Sequence, residues 1–364
     1  MFKGSSSISG PWFVLVALIV ASDVALAFKL SPHSTPEERK LAGIGAGSIL
    51  DLERRFAEFS VVGFTEPVHE EITNRMYGCN GSICSGSSSI GAPVPVLAGV
   101  RWNDDPPFRM TGGQARGLGC NLVETIRFET QPRCWARLFL DAQRKAATGV
   151  VFGPGDAMLY RSHFGDLQPI HAMASRDGEL ASLTHAAMMG WFEFTWRASL
   201  GEFSIDTRLK DVDIAYLRDM FGRTEWRMLE LYTLGAAGGL RRSIDDVAFG
   251  SLLHTVQDSF SLAHVNREES SGSKMCVAGE ISVEAPGAIL EFYSYTGQDH
   301  DAHAELDSLD SFRRGFEQPG NVVFVGRALI RARDQELPWQ QMRGFFECLF
   351  QLQNPGAKAS SGDL

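Results

Sequence analysis

The sequence predicts an all-α fold, a compact multi-helix single domain with long functional loops, and three observations carry that expectation. Apolar residues recur at three- and four-residue spacing in segment after segment. Clear period-two alternation of the kind strands need is scarce. Gly/Ser/Pro-rich stretches at 78–93, 104–120 and 268–287 read as loops, and loops of that length in a compact domain usually have a job.

Taken in order, the chain opens MFKGSSSISGPWFVLVALIVASDVALAFKL. One early lysine, an apolar run from Trp12 to Val20 and Ala25-Leu26-Ala27 before Phe28 fit a signal peptide over 1–27. The run is shorter than the roughly 20 residues a spanning helix needs. The expected location is therefore secreted or periplasmic. Residues 28–63 read as an N-terminal extension or propeptide, with a helical pattern at 48–60. GIGAGS at 43–48 lacks both the Lys-Ser/Thr ending and the preceding strand of a phosphate loop. The main domain, 64–352, carries helical patterns at 135–147, 178–199, 211–221, 225–235, 244–258, 303–316, 322–333 and 338–352, and residues 353–364 read as a flexible tail. There is no internal repeat, and no GxSxG elbow points to a serine hydrolase.

The net charge of −10 and the lack of Lys/Arg runs disfavour a long polyanion, although bound metal can supply positive charge locally. Six cysteines in an exported chain make disulfides the expectation. The close pairs Cys79–Cys84 and Cys120–Cys134 would form local loops, which leaves Cys276–Cys348. Spacing alone still permits fifteen pairings. No CxxC is present, which argues against a thiolate zinc site. Asn80-Gly81-Ser82 is a glycosylation sequon.

The informative stretch is LLHTVQDSFSLAHVNR, residues 252–267. His254 and Asp258 are four apart and share one helix face, so an imidazole and a carboxylate can grip one cation. His264 lies six residues on, about 240° further round an ideal helix, and would face a neighbouring site. The apolar neighbours imply burial, where an ionised aspartate needs a strong partner. His303 and Asp307 repeat the four-residue spacing in GQDHDAHAELD, and with His264 they make a three-ligand set. His300 has no acid four residues on and reads as an outer or solvent-facing group. His69 stands in VHEEITNRMY, His163 and His171 in RSHFGDLQPIHAMA, and Asp104 and Asp105 in VRWNDDPPF before two prolines that end a helix.

In this order the residues resemble the superfamily of zinc-dependent phospholipases C and single-strand-specific zinc nucleases, over residues 64–310. His69 in HEEITNR resembles the family's N-terminal metal histidine, Asp104 in WND its WxD aspartate, and His163 in SHFGD its HF histidine. His254, Asp258 and His264 match the central triplet with the same spacings, and His303 with Asp307 the last pair, ending in Asp as the nucleases do. The resemblance implies zinc, two or three ions. Asp104, His163, His254 and Asp258 would hold the first, His264, His303 and Asp307 the second, and His69 with a bridging Asp258 the third. The family's N-terminal tryptophan, whose amino group and carbonyl hold the third ion, has no counterpart. Phe64 stands five residues before His69, so either a cut after Gly63 exposes it, or the third site is altered and uses Glu66 or Glu70.

The implied activity is phosphodiester hydrolysis, with Asp104 orienting or deprotonating the attacking water. Phe164 is the candidate for stacking on a base of a nucleic-acid substrate, with a core role as its rival. Phe108, Met110, Met158 and Leu159 are candidates for an apolar lip against lipid. The expectation is a phospholipase C-like enzyme acting on phospholipid or another phosphodiester, with transient membrane-surface contact and no stable protein partner. The alternatives are a single-strand nuclease, a non-catalytic exported zinc protein, and an HD-type phosphohydrolase suggested by His300-Asp301. His171 is open to more than one role and could support His163 from behind, His185 packs on an apolar helix, the Met/Trp stripe at 188–196 is core, and His33 has no expected role.

Overall fold

The computed structural model describes residues 29–31, 34–44, 53, 57, 66–85, 91–110, 118–234, 238–315 and 320–362. The signal-peptide expectation, Phe64 and His33 lie outside the described residues, as does nearly all of the 48–60 helix. Among the described residues no helix is long and apolar enough to cross a membrane.

The organising element is a fifteen-residue helix, Ile244–Asp258, with Asp245 and Asp246 in its first turn, where acids complement the helix dipole. Its two sides serve two apolar clusters. Val247 and Ala248 join one around Trp102, Trp135, Phe139 and Trp191. Phe249, Leu252, Leu253 and Val256 join the other, around Phe192, Trp196, Phe346 and Phe350. A helix apolar all round is buried on all sides, so its polar residues have only one another and the protein to bond.

Two glycines set the closest helix contact. A Cβ on Gly99 would lie 2.1 Å from the Val247 carbonyl, and one on Gly250 would lie 2.1 Å from the Val96 carbonyl. Helix Val94–Val100 therefore lies backbone to backbone on Ile244–Asp258. The Trp-Asn-Asp turn that follows it is delivered beside His254. Helix Ala181–Ser199 covers the other side of the long helix.

The fold is mostly helical but not all-α. Val265–Arg267 pairs antiparallel with Ile289–Phe292, and Met275–Ala278 pairs with Ile281–Glu284 across a two-residue turn with Gly279 at φ 56°. This corrects the reading of 268–287 as loop. Each strand of the hairpin alternates exposed and buried over only four residues, too short a run to show a period. The 303–316 pattern is likewise two helices, His300–Leu306 and Leu309–Gly315, broken at Asp307. The expected disulfides Cys79–Cys84, Cys120–Cys134 and Cys276–Cys348 are all formed, which is compatible with an extracellular or periplasmic protein.

Both chain ends pack on the domain. Residues 29–31 and 34–44 lie against it: Leu30 is fully buried, Ser34 donates to Glu129, and Arg101 donates to the Ser31 carbonyl and to Glu70. The tail expected to be flexible is pinned by backbone bonds, Gly178 to Ala359, Ala359 to Glu179 and Ser294 to Ser360. The physical reason is the same at both ends: each supplies backbone partners that a neighbouring segment otherwise lacks.

Candidate metal centre

Six of the nine histidines and three aspartates converge in one buried region. They fall into three groups of ligand atoms: His69, His254 and Asp258; Asp104, His163 and His171; His264, His303 and Asp307. Every sequence-derived ligand is there, and so is His171.

The long helix contributes His254 and Asp258, whose Nε2 and Oδ2 lie 2.9 Å apart. Asp258 faces two ways. Its Oδ2 is also 3.0 Å from His171 Nδ1, while its Oδ1 is 3.3 Å from His69 Nε2. His69 stacks on His254 with ring centroids 4.0 Å apart. It sits in the first turn of helix Val68–Met76, and the Val68 and His69 amides both donate to the Lys29 carbonyl, which satisfies a helix N-terminus. In the Trp-Asn-Asp-Asp turn, Asp104 points into the cluster, 3.9 Å from both His254 and His69. Asp105 points away, accepting from the Phe128 amide and facing Arg127.

The remaining group straddles the short helix His300–Leu306. His303 Nε2 is 2.8 Å and His264 Nε2 3.5 Å from Asp307 Oδ2. Ser261 donates to the other oxygen of Asp307.

Hydrogen bonds fix which nitrogen of each ring is bare. Nδ1 of His254 donates to the Val100 carbonyl at 2.7 Å, that of His264 to the His171 carbonyl at 2.6 Å, that of His69 to Gln257 at 2.6 Å, and that of His303 to Gln298 at 2.6 Å. Each Nε2 then presents a lone pair to the cluster, the arrangement metal-binding histidines use. Gln257, Gln298 and Ser261 were missed in the sequence. A glutamine inside a buried apolar helix is the signal that could have found the first of them.

Several of the atoms facing inward have no hydrogen-bond partner. Both carboxylate oxygens of Asp104, Asp258 Oδ1, Asp307 Oδ2, His264 Nε2 and His303 Nε2 are buried with no hydrogen bond. Leaving one such group unsatisfied costs about 1–3 kcal/mol and more when charged, and these five side chains belong to groups that could hold metal ions. Neutral imidazoles and carboxylates without thiolate form a nitrogen–oxygen donor set.

From the protein groups alone, burial pushes Asp104 well above the usual carboxylate range, partly offset by His69. Burial also opposes ionisation of Asp258, but His254 and His264 outweigh it and hold Asp258 well below that range. Asp307 is held at about 2 by His303 and His264 against its burial. His264 rises to about 9 because Asp258 and Asp307 outweigh its burial.

Other expectations are corrected here. Phe164 is buried between Phe139 and Tyr295, at 5.1 and 5.3 Å, so its ring belongs to the core and offers no face to a base. Phe108, Met110, Met158 and Leu159 are all buried and form no apolar lip. Glu66 is bound to Lys29 and the Leu309 amide, and Glu70 to Ser31 and Arg101, so neither is a spare ligand for His69. His185 lies half-buried on helix Ala181–Ser199, outside the three groups. The cleft at the cluster, lined by Ser162, His163, Gln168, His171, Met173, His264 and Tyr295, measures about 10 Å³. Compared with known family models, curated proteins and solved structures, the chain matches none.

Proposed function

We propose that this protein is an exported, zinc-dependent phosphodiester hydrolase of the phospholipase C kind. The observation that carries the reading is the set of buried, unpartnered carboxylate and imidazole atoms facing one another in three adjoining groups. Asp104, His254 and Asp258, with an imidazole from the 163–171 segment, would hold one ion. His264, His303 and Asp307 would hold a second, and His69 with Asp258 a third. When bound, zinc supplies Lewis acidity, bringing the pKa of water towards 7 and offsetting charge on phosphoryl oxygens. The chain's own part is to fix the donors and move the proton. Asp104 accepts the proton of the attacking water, and the Nδ1–H bonds stop the rings turning away.

Two observations favour a lipid phosphodiester over a nucleic acid. The net charge is −10, and a cavity of about 580 Å³ with Phe260, Leu262, Leu306 and Phe312 in its wall abuts the chain segments that carry Ser261 and Asp307. That volume suits a small ligand with both apolar and polar parts, since Arg267, Glu268, Glu269 and Arg314 also line the wall.

The amino-terminal ligand that the resemblance calls for is better supplied at residue 28 than at Phe64. Lys29 already caps the His69 helix, so a chain cut after Ala27 begins one residue from that contact. A cut after Gly63 would discard Leu30, Ser34 and Glu38, which are buried in the domain. The intact mass of mature protein decides this, and a first residue at Phe64 in active protein overturns it.

A second reading, a non-catalytic protein braced by metal, is favoured by the narrowness of the cleft. The test is zinc content and turnover, on phosphatidylcholine and denatured DNA in parallel, for wild type, Asp104→Asn and Asp258→Asn. The hydrolase reading expects two or three ions, a sharp fall in Asp258→Asn, and lipid turnover lost in Asp104→Asn with most metal retained. Bound zinc with no turnover of either substrate supports the bracing role instead.

A further inference from the structure

The segment 158–173 brings two histidines to the cluster, and they are not equivalent. His163 ends helix Met158–Phe164, and His171 ends the 3-10 turn Gln168–His171. We infer that His171, and not His163, is the imidazole that completes the first ion's ligand set with Asp104, His254 and Asp258, while His163 is a positioning residue for Asp104. This rests on the metal-dependent reading above and departs from the SHFGD resemblance.

The distances carry the first half. His171 Nδ1 lies 3.0 Å from Asp258 Oδ2, 3.1 Å from His254 Nε2 and 3.7 Å from Asp104 Oδ1. His254 Nε2 lies 2.9 Å from Asp258 Oδ2 and 3.9 Å from Asp104 Oδ2. Four donors placed tetrahedrally at zinc's usual bond length of about 2.0–2.1 Å are about 3.3 Å from one another. The measured edges bracket that value, with Asp104 turning Oδ1 to His171 and Oδ2 to His254. Two ring nitrogens and a carboxylate oxygen this close together share either a proton or a cation, and the unpartnered Asp104 oxygens beside them favour a cation.

The ring of His171 is also held in the right tautomer. Its Nε2 donates to the Asn103 carbonyl at 3.2 Å, which leaves Nδ1 bare towards the cluster. Asn103 is fixed in turn, its amide donating to the Ile170 carbonyl at 2.8 Å and its oxygen accepting from Ser251 at 2.6 Å. The backbone pays for this placement: Ala172, fully buried, sits at φ 54°, a left-handed conformation that a non-glycine residue adopts at a cost. The His171 carbonyl then receives His264 Nδ1–H, so one residue serves two ion sites.

His163 is occupied differently. Its Nε2 donates to the backbone carbonyl of Asp104 at 2.9 Å. Its ring stacks on His171 with centroids 5.5 Å apart and meets Phe139 and Trp135 edge-on at 5.1 and 5.9 Å. Those contacts hold the Asp104 turn and the His171 ring in register.

The test compares zinc per chain in wild type, His171→Gln and His163→Gln, with folding checked by thermal melting. Glutamine carries an amide donor at the reach of Nε2, the nitrogen that bonds each carbonyl, but is a poor zinc ligand. The expected result is loss of about one ion per chain in His171→Gln and none in His163→Gln. His163→Ala should bind the first ion about 10- to 100-fold more weakly, and His163→Gln should recover most of that. Loss of an ion in His163→Gln, alone or along with His171→Gln, overturns the assignment while leaving the metal centre standing. Equal weakening by Ala and Gln at 163 overturns the positioning role. Wild type without zinc overturns both this and the centre itself. Should His171→Gln not fold, imidazole ¹⁵N shifts of the wild type on zinc removal and reloading answer the same question. A large shift at Nδ1 is expected for His171 and not for His163, and the reverse overturns the inference.

Discussion

The two halves of the cluster are held in different proportions by backbone and side chain. In the half around Asp258, His254 bonds the Val100 carbonyl and Asp104 follows a helix that lies on the long helix through Gly99 and Gly250, while His69 alone is aimed by a side chain, Gln257. In the half around Asp307, His264 bonds the His171 carbonyl, but His303 is aimed by Gln298, whose amide donates to the Ala263 carbonyl, and Asp307 is held by Ser261. Backbone contacts between packed helices are set by the fold as a whole, whereas a glutamine tether can be cut singly. His254 and Asp104 should therefore be displaced only with the fold, and His303 should be displaced alone.

The sharpest way to break that contrast is Gly250→Ala. A methyl 2.1 Å from the Val96 carbonyl forces the helices apart, and overpacking of this sort costs about 1–3 kcal/mol. A lower urea midpoint together with loss of the Asp258-side ions is expected. An unchanged midpoint with full zinc content would show that the glycine contact does not set the site. Next in size, Gln298→Ala should weaken one ion by about 10- to 100-fold, the usual cost of removing a ligand's orienting partner. Titration with a chelator should show the other ions unmoved, and a uniform loss across all sites would erase the distinction between the halves.

The effect furthest from the cluster, and visible only as a pH dependence, concerns the polar network behind the Asp258 half. Glu38 is buried 3.6 Å from Arg101. Burial, with Glu129 and Glu70 adding and Arg101 opposing, raises its pKa from 4.5 to about 8. The folded state thus binds this proton more tightly than the unfolded chain, so the contribution to stability is full below about 4.5 and is lost as pH rises to about 8. Glu38→Gln should remove that slope, matching wild type near pH 4.5 and exceeding it above pH 8 in melting temperature. Parallel pH curves for the two proteins would mean that Glu38 is ionised in the fold.

Much of this was legible from residue order. The 3.6-residue period places His254 with Asp258 and His303 with Asp307 on shared faces, because a helix repeats its geometry along the chain. Local cysteine spacing pointed to two disulfides and left the third by remainder. The period also marked Ile244–Asp258 at its true bounds. What only the tertiary structure decided has no period. His171 reaches the cluster through a 3-10 turn and a left-handed Ala172, which no face-counting follows. Phe164 and the apolar residues at 108, 110, 158 and 159 look alike in sequence whether they line a mouth or fill a core, and packing put them in the core. Residues 29–31, 34–44 and 353–362 read as ends, yet both ends lie against backbone groups that needed partners. Spacing along the chain fixes what one helix presents; which segments meet, and which nitrogen each ring leaves bare, is settled by carbonyls far away in sequence.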